Sequence, residues 1–271
     1  MRITSLGSGS RGNALLLESQ DTRVIVDAGY SARMMELRLA DAGVSPESVE
    51  ALLVTHEHTD HSRGAAACAD KWGWRLLATA GTLGGCQAIP ERPTEELPSS
   101  GTVSIGAFHF ETVPTSHDAD DPVAVIATAR SSGARTAVVY DLGIVTDAVR
   151  AAFASVDILI IESNHDPEML RNGPYPVVLQ RRIAGRHGHL SNPAAARAAC
   201  ESAHRSMSHV ILAHLSQKNN RPGVALRTMT AALARTCFRG TITALEQNRV
   251  SLTFSPKHAT RPAPLQLGLR L

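Results

Sequence analysis

Four side chains able to bind a transition metal fall within six residues, in Leu52-Leu53-Val54-Thr55-His56-Glu57-His58-Thr59-Asp60-His61. Residue 60 is Asp rather than His, so this is not the helical HExxH pattern of zinc proteases. His56 and His58 are two apart, a spacing that points both side chains the same way from an extended chain. Asp60 and His61 follow on a diverging stretch, so one short loop can feed two adjacent ions. Mixed imidazole and carboxylate donors suit zinc, manganese or iron better than calcium. The bland alternative needs three histidines and an aspartate to find unrelated partners within one loop.

The loop has to be held by something rigid, and the chain around it reads as strands. Arg2–Leu6 and Ala14–Glu18 flank a Gly/Ser loop, and Val24–Val26 follows a polar turn at Gln20–Thr22. The pattern predicts a helix over Ser31–Ala42 stopped by Gly43, a short buried strand over Ala51–Thr55 and a helix over Gly64–Trp72. Residues 81–102, rich in Gly, Pro and Ser, read as a long surface excursion. Strands are expected at Val103–Val113, Val123–Ala129, Thr136–Tyr140, Ile158–Ile161 and Val210–Leu215, and helices at Pro193–Ser206 and Gly223–Cys237. Neither a repeat nor a linker divides the chain, so one α/β domain over 1–255 is expected, with a loose Pro- and Arg-containing tail over 256–271. Gly7-Ser8-Gly9-Ser10-Arg11-Gly12 matches the dinucleotide fingerprint, which works only where a helix follows. Asn13–Ser19 is too short for that helix, so a hairpin loop is expected and no nucleotide cofactor.

Composition excludes several classes. With 271 residues, 43% of them hydrophobic and 19% charged, the chain is an ordinary globular protein. No apolar run approaches the roughly 20 residues that span a bilayer, and the amino terminus lacks a signal-peptide h-region. Cys68, Cys86, Cys200 and Cys237 are widely spaced with no CxxC pair, as expected of reduced thiols in a cytoplasmic protein. The net charge of +2 conceals an asymmetry. Residues 1–163 hold 12 Lys/Arg against 21 Asp/Glu, a balance of −9, whereas 164–271 hold 15 against 4, a balance of +11. A strongly basic half is the footprint of a polyanion binder.

Taken with Val26-Asp27-Ala28-Gly29 upstream, the HxHxDH loop resembles the metallo-β-lactamase superfamily. The resemblance extends to His117 in Val113-Pro-Thr-Ser-His117, Asp141 in Tyr140-Asp141-Leu142-Gly143 and His214 in Leu212-Ala-His214-Leu-Ser216, in family order. It implies a four-layer αββα sandwich with a dinuclear centre at one sheet edge. One metal would take His56, His58 and His117, and the other Asp60, His61 and His214. Asp141 would bridge them and Asp27 would orient a ligand imidazole. A water held between two such ions is the implied nucleophile. The second half narrows the substrate. Ile160-Ile161-Glu162-Ser163-Asn164-His165, Gly188-His189-Leu190-Ser191-Asn192 and Leu212–Asn220 resemble tRNase Z-type phosphodiesterases, which would make Glu162 and His189 a pair protonating the leaving oxygen.

The runs LGSGSRGN, VDAGYS, THEHTDH, TSHDADDPV, ESNHDPEMLRNGPYP, RIAGRHGHLSN and LAHLSQKNN are similar, through nearly the whole chain, to the YycJ/WalJ-like branch of that superfamily. That implies a cytoplasmic dinuclear nuclease acting on DNA, rather than RNA, from the 5′ end, with zinc or manganese and iron as a third option. Tyr140 departs from the branch, which often has Thr before the bridging Asp. Candidate substrate contacts are Ser8, Ser10, Asn13, His165, Arg186, Ser191 and Asn220; Arg186 equally fits a solvated surface, and the others also fit turn or capping chemistry. Arg181, Arg182 and Arg186 form a basic cluster before His189 that suits a phosphate backbone. His187 reads as a solvated loop residue, and His109, His204, His209 and His258 lack motif context. The competing readings are a small-molecule hydrolase (a cyclic phosphodiesterase or a glyoxalase II-like thioesterase) and a degenerate binding module.

Overall fold

The computed structural model describes residues 1–88, 91 and 93–257. Thirteen strands form two sheets among these residues. The first sheet orders β1 (Arg2–Gly7), β2 (Ala14–Ser19), β3 (Thr22–Val26), β4 (Ala51–Leu53), β5 (Arg75–Ala78) and β6 (Thr94–Glu96) consecutively. The second runs from β7 (Gly101–Ile105) through β8 (Phe108–Pro114), β9 (Val123–Ala129), β10 (Arg135–Val139), β11 (Ile158–Glu162) and β12 (His209–Ala213) to β13 (Thr241–Ala244). The helices are α1 (Ala32–Asp41), α2 (Thr59–Ser62), α3 (Ala65–Trp72), α4 (Ala80–Gly85), α5 (Asp147–Phe153), α6 (Pro167–Arg171), α7 (Val177–Ile183), α8 (Asn192–Ser202) and α9 (Pro222–Leu233).

The apolar runs are nearly continuous because both faces of each sheet are covered, and the period of two sends alternate side chains to different layers. Leu15 and Leu17 join Val24, Val26 and Leu53 against Phe108, Phe110, Ile158 and Ile160 between the sheets. Leu16, Ile25 and Leu52 pack outward on Met35 and Leu39 of α1 and Cys68 and Ala69 of α3. Leu159 and Ile161 pack the other way, on Val149 and Phe153 of α5, Ala195 and Ala199 of α8 and Met229 of α9. The result is the expected αββα sandwich.

Several expectations are corrected. Val103–Val113 is a hairpin, not one strand: β7 and β8 pair antiparallel about Gly106, whose φ of +48° supplies the turn. Residues 81–102 are not wholly a surface excursion, since they carry most of α4 and the edge strand β6. Strand β4 stops at Leu53, leaving Val54 and Thr55 to enter the metal loop. The mostly helical C-terminal part also contains β13, the parallel partner of β12. The Gly7–Gly12 segment is the expected hairpin loop, joining β1 and β2 in antiparallel register. Of the expected loose tail, 258–271 lie outside the described residues, as does His258, while the Lys257 N–H donates to Ser208 Oγ at 2.8 Å. All four cysteines are free thiols.

Candidate metal centre

Five strand ends deliver the site. Asp27 follows β3, the HxHxDH loop follows β4, His117 follows β8, Asp141 follows β10 and His214 follows β12. Asp27, Asp141 and His214 all adopt φ between 53° and 63°, the left-handed region that non-glycine residues rarely occupy. These turns swing each side chain off its strand and into a common space. The loop itself packs against Gly29: a Cβ there would lie 1.8 Å from the Asp60 carbonyl oxygen.

Each imidazole is aimed by its second nitrogen, and the partner fixes the tautomer. His61 Nδ1–H donates to Asp27 Oδ2 at 2.7 Å, and the Thr55 N–H and Oγ1–H also donate to that carboxylate. His56 Nδ1 lies 3.1 Å from Thr55 Oγ1. His117 Nδ1–H donates to the Gly188 carbonyl at 3.0 Å, and His58 Nε2–H donates to the Asp118 carbonyl at 3.2 Å. Their remaining nitrogens, His117 Nε2 and His58 Nδ1, face each other at 3.2 Å.

The groups so aimed converge. One donor set within 4.8 Å is His56, His58 and His117, and another is Asp60, His61 and His214. Asp141 Oδ2 lies 2.6 Å from His61 Nε2 and 3.7 Å from His56 Nε2, which places the carboxylate between the two sets. His56 Nε2 and both Asp141 oxygens are buried without a well-directed hydrogen bond. Buried, unsatisfied donor atoms pointing into one space are what a cation would satisfy. Charge supports the same fit. Burial works against a charged His61, yet Asp141, Asp27 and Asp60 outweigh it and push its pKa up to about 10. Burial likewise opposes a charged His214, and Asp141 chiefly raises it well above the ordinary value. The same carboxylates that favour charge on these imidazoles would favour a divalent cation held among them.

Beside the two sets stands a third arrangement. Glu162, at the end of β11, is fully buried, and its Oε1 lies 2.8 Å from both His189 Nδ1 and His214 Nδ1. Oε2 accepts the Leu190 N–H at 2.9 Å. Burial would raise this carboxyl, but the His189 cation overrides it and holds it down at about 2. Burial disfavours charge on His189 too, and Glu162, helped by Asp141, pushes it up to about 10. His189 lines a cleft of about 140 Å³ with Ser10, His58, Asp60, Asp141, Asn164, Tyr175, Ile183, His214 and Ser216.

A family model described as a β-lactamase superfamily domain matches residues 22–215, a span that contains every donor named above. The chain belongs to the metallo-β-lactamase superfamily, in its YycJ/WalJ-like branch. Exodeoxyribonuclease YycJ of Bacillus anthracis is 32% identical over 237 residues, covering 86% of this chain and 89% of that protein. Exodeoxyribonuclease WalJ of Streptococcus pneumoniae serotype 2 is 32% identical over 253 residues, covering 86% and 88%. Among solved structures, the metallo-β-lactamase fold protein YhfI from Bacillus subtilis superposes with a TM-score of 0.72 at 17% identity, covering 92% of this chain and 98% of that one. The superfamily fold and this donor set together mark the cluster as a divalent-metal site.

The superfamily frame also sorts the remaining sequence candidates. Ser10 reaches the cleft. Ser8 and Asn13 are buried and turned inward: Ser8 Oγ–H donates to Asn13 Oδ1 at 2.9 Å and accepts the His214 N–H at 2.8 Å. Ser191 accepts the Ala194 N–H as the N-cap of α8. Asn220 is buried, its Nδ2 donating to the Ser163 and Asn164 carbonyls. His165 is buried against the Ser191 strand bridge, with burial holding it down at about 4. Arg186 is exposed, while Arg182 is tied to Asp118 at 2.6–2.7 Å. His204 and His209 are satisfied locally, the first by Ser206 and the Val156 carbonyl and the second by Thr241 and the Ser255 carbonyl. Sequence reading missed Thr55, Gly188, Asn164, Tyr175 and Ser216 as parts of the site. All five lie inside the family-like runs, and Tyr175, an aromatic residue between two prolines, also stands out by itself. Among the described residues, no helix is long and apolar enough to cross a membrane.

Proposed function

We propose that this protein is a metal-dependent exodeoxyribonuclease that hydrolyses DNA from the 5′ end, with two divalent ions held by the two donor sets. His56, His58 and His117 would hold one ion, and Asp60, His61 and His214 the other, with Asp141 between them and Asp27 orienting His61. Zinc and manganese both suit these donors, and iron fits as well. Such ions would supply an activated water and neutralise charge on the phosphate. The printed activities of the two relatives with 32% identity support the substrate class.

The Glu162–His189 pair carries the reading. A phosphodiester leaves as an alkoxide and needs a proton, whereas a thioester's thiolate leaves without one. His189 is held as an imidazolium by carboxylates on its Nδ1 side, leaving Nε2 for the leaving oxygen. Glu162 also orients His214, so one carboxylate ties the proton donor to the metal-binding set. Arg181 and Arg186 on the basic half are exposed to bind flanking phosphates.

The test is an assay with Mn²⁺ or Zn²⁺ on end-labelled single- and double-stranded DNA and RNA. Release of nucleotides from 5′-phosphorylated DNA is expected. A metal-loaded protein that leaves DNA and RNA intact while turning over a thioester or a cyclic phosphodiester would overturn the assignment.

A further inference from the structure

The cleft has a rim that the chemistry above does not use. Between α6 and α7 the chain runs Asn172-Gly173-Pro174-Tyr175-Pro176. Aromatic residues are scarce, with five Phe, three Tyr and two Trp in the whole chain. Tyr30 and Tyr140 are buried in the core, yet half-buried Tyr175 lines the cleft beside Asp60, Asp141, His189 and His214. Among the described residues, no aromatic ring or Lys/Arg cation stacks on its ring and none bonds its hydroxyl. Its backbone, in contrast, is fixed. Pro174 restricts the preceding turn and Pro176 biases Tyr175 to extended geometry. The Gln180 side chain donates to the Tyr175 carbonyl at 2.8 Å. An aromatic ring carried on a restricted backbone, with no aromatic or cationic partner of its own, is a partly preorganised contact surface.

The helix that follows is equally outward-facing. None of the residues of α7 is buried, and Val177 and Val178 are 57% and 80% exposed. It is held at its C-terminal end by the Arg182–Asp118 pair and by the His189 N–H donating to the Ile183 carbonyl at 2.8 Å. That last bond joins the rim directly to the proton donor. Arg181 and Arg186 are both exposed there, and among the described residues neither side chain forms an ion pair.

We propose that Tyr175 is a stacking platform for the base adjoining the scissile phosphate, with Arg181 and Arg186 holding the phosphates beyond it. The proposal rests on the nuclease reading and makes Tyr175 a positioning residue. Stacking explains how a nuclease can hold any sequence, since every base offers a π-face.

The experiment is a cycle between residue and base. Wild type, Tyr175→Phe, Tyr175→Leu and Tyr175→Ala are assayed on 5′-phosphorylated single strands whose first two nucleotides are either intact or abasic. Alanine substitution at base-stacking aromatics weakens binding by about 5- to 150-fold. The wild-type KM is therefore expected to rise by a factor in that range on the abasic strand, with kcat little changed. Phe should match wild type, whereas Leu and Ala should show the raised KM on both strands and discriminate between them less than twofold. Equal discrimination in all four proteins would overturn the stacking role, as would a wild type indifferent to the missing bases. If wild type degrades neither strand, the nuclease reading itself fails, which is a separate outcome.

Discussion

Replacing Glu162 by Gln tests the proton donor most directly. The side chain keeps its shape but loses the charge that faces His189 Nδ1 and His214 Nδ1, both at 2.8 Å. Carboxylates push His189 from its ordinary 6.5 up to about 10 against the cost of burial, with Glu162 the larger contributor and Asp141 the other. A hydrogen bond to a charged group contributes about 1.5–3 kcal/mol, which at 1.36 kcal/mol per pH unit corresponds to roughly one to two pH units. Losing the Glu162 charge should therefore lower the pH at which His189 gives up its proton, while Asp141 continues to favour the cation. The sign follows from the raised value. His189 is protonated below its folded pKa, and both its stabilising charge pairing and its donor function are lost as pH rises through that value.

The assay is kcat on end-labelled DNA between pH 6 and 10, in oxygen-free buffer with saturating Mn²⁺ and the bound metal quantified. The expected result is an alkaline limb about one to two pH units lower in Glu162→Gln than in wild type, with a correspondingly earlier loss of rate. Because Glu162 also orients His214, the comparison counts only at equal metal content. An unmoved alkaline limb with the metal intact would refute His189 as the proton donor and leave Glu162 as a purely structural brace.

Asp60→Ala removes a donor from one of the two sets and should abolish nuclease activity while lowering bound metal, read by elemental analysis. Asp27→Asn leaves the loop in place but weakens the aim of His61, and metal affinity in a chelator competition should fall about 10- to 100-fold. Arg186→Ala should weaken DNA binding uniformly across sequences and reduce the slope of log K against log salt by about 1; an unchanged slope would remove Arg186 from the phosphate track. The Tyr140 hydroxyl is buried without a hydrogen-bond partner, so Tyr140→Phe should be at least as stable as wild type in thermal unfolding, and a loss above about 1 kcal/mol would show a missed partner.

Much of this was legible because it is local. The HxHxDH spacing needs only a strand end and a loop, and the alternation of Leu15, Leu16 and Leu17 between two cores needs only a period of two. The sandwich and the order of the donors follow from such runs together with the family resemblance. What stayed hidden depends on contacts distant in sequence or on short elements. The resemblance pairs Glu162 with His189, but no spacing rule announces that the same carboxylate also meets His214, 52 residues on. Helices α5 and α7 have seven residues each, too few for an amphipathic period to stand out. The β7–β8 hairpin looked like one strand because the turn at Gly106 interrupts an otherwise strand-like run. Ser8, Asn13 and Asn220 have the polarity of substrate contacts, but their burial assigns that polarity to holding loops.

The three left-handed residues show how the sandwich and its chemistry constrain each other. Asp27 and His214 directly follow strands, and Asp141 lies two residues beyond one, with φ of 63°, 53° and 55°. Each such conformation costs on the order of 1–3 kcal/mol for a side chain with a Cβ, against a total stability of roughly 5–15 kcal/mol for a typical domain. Glycine would remove the cost, but it carries neither a carboxylate nor an imidazole. The strain is held by bonds specific to the turns: Asp27 N–H to the Leu53 carbonyl at 2.8 Å, and His214 N–H to Ser8 Oγ at 2.8 Å. The buried Ser8–Asn13 pair therefore clamps a turn that aims a donor on the opposite sheet. The Gly/Ser loop that resembled a nucleotide cradle acts instead as the strap joining the two sheets across the metal centre.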